Sequence, residues 1–157
     1  FEPRDLELCS RLDLWHTVHC SEQIDALAAH KTRAPHRVFL KLNSGMNRLG
    51  FGVDTLRPAY NTLRLHRGVG TITLMTHFAD ADGTSGVHDQ LRWFNELVQP
   101  FEAPRSVANS AALLRFKETN EKPDPDALRP ARLLHSLGRI ASNRQSRYFL
   151  LVAAATQ

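Results

Sequence analysis

The sequence predicts an α/β fold with a parallel sheet and its helices packed outside, and two observations carry that prediction. Short β-rich runs at residues 14–19, 38–42, 70–77 and 106–109 alternate with longer stretches whose apolar residues recur at helical spacing. The segments between runs are also long enough for crossover connections, which set consecutive strands parallel in one sheet. The 42% hydrophobic and 23% charged content is that of a globular chain with a core. Four strands fit either an open doubly wound sheet or half of a closed barrel, and periodicity alone does not separate them. A closed eight-stranded barrel typically needs about 250 residues, against the 157 present.

Taken in order, the first run is followed by Ser21, which can cap a helix with Ile24, Leu27 and Ala28 on one face. After the second run, Asp54 or Thr55 can cap a second helix, with Pro58 tolerated in its first turn and Tyr60 and Leu63 pointing inward. The third helix has the clearest stripe, Val87, Leu91, Phe94, Leu97 and Val98, and Pro100 ends it. The order is therefore βαβαβαβ. After Phe116 the alternation stops, because residues 117–126 are polar with two prolines, so the expected division is 1–116 and a divergent tail at 117–157. Trp15 and Trp93 are expected in or against the core.

Charge and cysteine content narrow the function classes. Lys plus Arg number 20 against 16 Asp plus Glu, and the excess lies after Arg129, at Arg132, Arg139, Arg144 and Arg147. That tail could contact polyanions weakly, but the rest is nearly balanced, so neither nucleic acid nor membrane is an expected partner. Cys9 and Cys20 cannot build a disulfide framework or a four-sulfur zinc site, which fits a reducing, cytoplasmic setting. No apolar run approaches the ~18 residues of a membrane span. The opening Phe1-Glu2-Pro3-Arg4 lacks an initiator Met and a signal-peptide core, so the chain is expected to begin mid-protein or after processing.

In parallel α/β sheets, functional side chains lie at the carboxyl ends of the strands and in the loops that follow. Polar and ionisable residues gather at all four such ends, at residues 18–20, 41–50, 76–82 and 108–112. Ser110 stands between a strand and a helical turn, where free backbone N–H groups attract an anion such as phosphate, although it could equally cap the helix. His77 and Arg48 are donors at strand ends. Gly45 and Gly50 bracket Arg48, which indicates a loop needing unusual backbone angles rather than a phosphate loop. His16, His19 and Cys20 invite a zinc reading, but His16 and His19 would lie on opposite faces of a strand. No Gly-x-Ser-x-Gly elbow supports a hydrolase.

Three blocks are more specific. Residues 38–50, Val-Phe-Leu-Lys-Leu-Asn-Ser-Gly-Met-Asn-Arg-Leu-Gly, resemble the block that follows the fifth barrel strand of the alanine racemases. Residues 77–82 and 108–112 resemble the blocks after the sixth and seventh strands, and 16–19 with Glu22 and Gln23 fit the fourth strand and its helix. The resemblance covers about residues 1–116. It implies a partial (β/α)8 TIM-type barrel, strands four to seven with their helices, that binds pyridoxal 5'-phosphate (PLP). It further implies that Arg48 bonds the PLP phenolate oxygen, that Lys41 is the lysine carbamylated in many members, and that Ser110 beside Asn109 holds the phosphate. His77 would lie behind the pyridine ring, bonded to an arginine for which Arg129 is a candidate. Such an arginine keeps the ring nitrogen unprotonated.

The same resemblance implies racemisation of L- and D-alanine for cell-wall precursor supply by a cytoplasmic homodimer. The family's two proton-transfer groups, a lysine after the first strand and a tyrosine from the second domain, match nothing in this sequence, so no catalytic residue and no activity of the chain alone is expected. Residues 126–131, Asp-Ala-Leu-Arg-Pro-Ala, resemble the block that supplies the pyridine-contacting arginine, with Ala131 where glycine is usual. The tail reads as a divergent, truncated or frame-shifted continuation, with a remnant of the last barrel strand. The alternative reading is a non-catalytic PLP-binding barrel, against which the string ending in Arg48 speaks. A tail-driven polyanion binder is a second rival.

Overall fold

The computed structural model describes residues 1–120. A 3-10 turn, Pro3–Asp5, leads into α1 (Leu6–Arg11), then β1 (Trp15–Val18), α2 (Ser21–Ala29), β2 (His36–Lys41), α3 (Val53–Leu65), β3 (Val69–Met75), α4 (His88–Val98), β4 (Arg105–Ser106) and α5 (Ser110–Arg115). A second 3-10 turn, Lys117–Asn120, follows. The strands form one sheet in the order β1-β2-β3-β4, every neighbouring pair parallel, as the crossover lengths require.

Alternation along the strands divides the sheet into two faces. Val18, Val38, Leu40 and Leu74 pack in one core with Ile24 and Leu27 of α2, Leu56 and Leu63 of α3, and Phe94 and Val98 of α4. On the other face Trp15 and Phe39 cluster with Met75, and the Thr17 hydroxyl donates to the Met75 sulfur at 3.7 Å. Each large side chain taken from water in this way contributes roughly 1.5–3 kcal/mol.

The sequence-based expectations differ from this structure at several ends. α1 was not expected; its two buried residues, Leu6 and Cys9, give too short a stripe to read. Cys20, not Ser21, is the N-cap of α2, and the face of that helix is Gln23, Ile24 and Leu27, with Ala28 exposed. α3 begins at Val53 on a Gly52 cap, with Thr55 bonded back to Gly52, so Pro58 lies inside the helix rather than in its first turn. Trp93 is exposed on α4, whose buried positions are Phe94 and Val98. β4 pairs at only two residues, Arg105 and Ser106, and by Asn109 the chain is already turning into α5, which the Asn109 side chain caps by accepting from the Ala112 N–H at 2.9 Å. Beyond Phe116 the described chain continues as a turn in which the buried Thr119 hydroxyl donates to the Phe116 carbonyl at 2.7 Å.

Candidate functional site

A parallel sheet delivers every strand to the same edge, so the ends of β2, β3 and β4 lie side by side. The loop after β2 is the most constrained of the three. Phe51 N–H donates to the Lys41 carbonyl at 2.8 Å and Asn43 N–H to the Phe51 carbonyl at 3.0 Å, which closes residues 43–51 on themselves. Inside, the Asn43 side-chain oxygen accepts from the N–H groups of Gly45 and Asn47 at 3.2 and 2.9 Å, and its amide donates to Asn47 Oδ1 at 3.0 Å. Gly45, Asn47 and Gly50 all take positive φ, at 132°, 56° and 124°. A Cβ on Gly50 would stand 2.7 Å from the Leu42 carbonyl carbon and 2.8 Å from Asn43 N, both backbone, so glycine is required there.

This loop projects Arg48 into solvent, while Lys41, at the end of β2, is half-buried. Burial, and after it the Arg48 charge, hold the Lys41 amine below the ordinary lysine range. Two cations at one edge repel each other and favour an anionic partner.

Long-range hydrogen bonds tie the neighbouring loops to this one. Ser44 and Thr76 share a buried hydroxyl pair at 2.7 Å, and Thr76 also donates to the Leu42 carbonyl at 3.2 Å. The Gln90 side chain of α4 packs 3.3 Å from the Cβ position of Gly45 and accepts from Ala79 N–H at 2.8 Å. Asn109 donates to the Phe78 carbonyl at 3.5 Å, and Arg115 of α5 donates to the Ala81 carbonyl at 2.8 Å. His77 is half-buried two residues past β3, with further contacts of its own. Ser110 is the first residue of α5. With Asn109 serving as the cap, the Ser110 hydroxyl has no hydrogen-bond partner among the described residues.

Thus Lys41, Arg48, His77, Asn109 and Ser110 all lie at one edge. Arg129 lies outside the described residues. Sequence reasoning did not find Ser44, Thr76, Gln90 or Arg115, which join the loops; their partners are 11 to 34 positions away and leave no local signal. His16 and His19 face opposite ways, as alternation requires. His16 packs against the rings of Phe1 and His36 at 4.7 and 5.1 Å, whereas His19 senses Lys41. Among the described residues no group of three His, Cys, Asp or Glu side chains is arranged to hold a metal ion, and no helix is long and apolar enough to cross a membrane.

Comparison with known proteins bears on this arrangement. The family described as alanine racemase, N-terminal domain, matches residues 1–130, past Phe116. The chain is 58% identical over 115 residues to the alanine racemase of Polaromonas sp. (strain JS666 / ATCC BAA-500), covering 73% of this chain and 32% of that protein. It is 60% identical over 115 residues to the alanine racemase of Acidovorax sp. (strain JS42), again covering 73% and 32%. The chain therefore spans about a third of the length of the curated relatives it matches. Among solved structures, the biosynthetic alanine racemase from Pseudomonas aeruginosa superposes with a TM-score of 0.68 at 39% identity, covering 74% of this chain and 33% of that one.

Proposed function

The chain belongs to the alanine racemase family, within its N-terminal TIM-type barrel domain, and on that premise we propose that it forms the cofactor-holding wall of a PLP-dependent racemase interconverting L- and D-alanine. Its four parallel strands are then strands four to seven of the barrel. The observation that carries the reading is the Lys41–Arg48 pair, one cation at the end of β2 and one on the loop that follows, in a stretch whose sequence resembles the family's own.

The residues fit the cofactor on physical grounds. Asn109 fills the cap of α5, which leaves the Ser110 hydroxyl and the first N–H groups of that helix available to a phosphate. Arg48 would donate to the ring phenolate oxygen. Carbamylation of Lys41 would convert a cation that repels Arg48 into an anion that orients it. His77, with an arginine such as Arg129, would stand at the pyridine side. PLP, when bound, draws electron density from the amino acid and so acidifies its α-hydrogen. The groups that move that proton, the family's lysine and tyrosine, are in this reading supplied by other segments of the whole protein. In this reading the whole protein is a cytoplasmic homodimer that supplies D-alanine for cell-wall precursors.

A chimaera tests the reading. Residues 1–116 are spliced in place of the matching segment of the Polaromonas racemase and expressed in a host that requires D-alanine. Growth without D-alanine is expected, and Arg48→Ala in the chimaera should lower kcat/KM on the order of 10–100-fold, the loss of one charge-assisted hydrogen bond. A folded chimaera that retains PLP yet racemises nothing would favour a non-catalytic binding barrel instead.

A further inference from the structure

We infer that His19 is a positioning residue of this edge, set across from Lys41 at the end of β1 so that its ring walls the lysine in beside the Arg48 loop. The register of the two strands places it there. Val18 pairs with Leu40, the last pair of β1 and β2, and the next residue on each chain is His19 and Lys41. Neighbouring parallel strands run about 4.8 Å apart, so side chains one step beyond that pair stand in reach of each other. Both point to the face opposite the helices. Two residues earlier, Thr17 bonds the Met75 sulfur and Phe39 packs on Trp15 at 5.0 Å, and side chains two apart share a face.

The position of His19 is fixed from behind. Its backbone N–H donates to Gln23 Oε1 at 2.9 Å, and the buried Gln23 amide donates in turn to the Phe1 carbonyl at 3.4 Å. Burial gives the largest push against protonation of the ring; the Lys41 charge also disfavours it, and Glu22 favours it. The imidazole is therefore held below the usual histidine range, which keeps a third positive charge away from the Lys41–Arg48 pair. A neutral, flat, half-buried ring is suited to cover the lysine chain without repelling it.

Two measurements on the 157-residue chain test this. The first is an NMR pH titration of the imidazole carbons, with the His19 signal assigned by its loss in His19→Gln. Lys41→Met should move the His19 midpoint up, Glu22→Gln should move it down, and Thr17→Val should leave it in place. The second is the rate at which acetic anhydride acylates Lys41, mapped by mass spectrometry. His19→Ala should raise that rate several-fold, and His19→Gln should stay near the parent because a flat polar side chain still covers the lysine. A His19 midpoint unmoved by Lys41→Met, or a Lys41 rate unmoved by His19→Ala, would overturn the inference. The inference rests on reading this edge as the cofactor wall, but neither measurement uses PLP. Failure here leaves the racemase reading standing, and failure of the chimaera leaves the inferred placement of His19 beside Lys41 standing.

Discussion

Gly50 shows how a single residue can fix the course of the backbone that carries Arg48, two places away. Its φ of 124° and the backbone atoms crowding its Cβ position leave no room for a side chain. Gly50→Ala is therefore expected to cost more than about 2 kcal/mol, since strain and a backbone clash add together. The check is a lowered urea midpoint, with Gly52→Ala, whose Cβ position meets no atom closer than 4.0 Å, as the mild comparison. The need for unusual backbone at Gly45 and Gly50 was legible in the sequence, because glycines flanking an arginine in a polar stretch have few other uses. The Asn43 side chain that organises the same loop was not, since its bonds to Gly45 and Asn47 depend on angles that form only with the fold.

At the scale of elements, α5 owes its start to Asn109. Asn109→Ala should destabilise the chain by about 1 kcal/mol and Asn109→Asp by less, because Asp keeps the capping acceptor and loses only the long donation to the Phe78 carbonyl. Thermal unfolding of the two variants side by side distinguishes them. Phe94 anchors α4 instead by packing, fully buried in the core, and Phe94→Ala should cost roughly 3–5 kcal/mol in denaturant titrations. The stripe that holds Phe94 was the clearest helix in the sequence, and the structure keeps its Phe94 and Val98 in the core. Helix starts were less legible. Cys20 and Gly52 cap where Ser21 and Asp54 or Thr55 were expected, because a cap is chosen by the turn entering the helix and not by the residue's propensity alone.

Across the whole molecule, the two ends of the sheet differ in kind. The carboxyl ends carry the polar edge, while near the other end the buried His16 and His36 rings meet edge-on at 5.1 Å and the half-buried His30 ring tilts against His36 at 5.3 Å. Both ring nitrogens of His16 and of His36 lack a hydrogen-bond partner among the described residues. Burial first, and then the neighbouring His36, push His16 down to about 4. A histidine whose folded value is depressed is neutral in the fold and protonates first in the unfolded chain. Its contribution is thus complete above pH ~6.5 and is lost as the pH falls toward ~4, on the order of 3 kcal/mol. Melting temperature should fall across that window, and His16→Leu should flatten the slope; an unchanged slope would remove His16 as the cause. The βαβαβαβ order and the shared edge were legible because connection length fixes parallel pairing. The cross-links Ser44–Thr76, Gln90–Ala79 and Asn109–Phe78 were not, for each joins residues that only the finished sheet brings together.

The claim beneath all of this is that the ends of β2, β3 and β4 form one anion-recognising edge. It is tested most directly by titrating the isotopically labelled chain with 4'-deoxypyridoxine 5'-phosphate, which lacks the aldehyde and so cannot condense with surface lysines. The amide signals of Ser110 and Ala111 and those of the Arg48 loop should shift together, saturating at one common concentration. Shifts confined to one of these loops, or centred on the His36 end of the sheet, would contradict it.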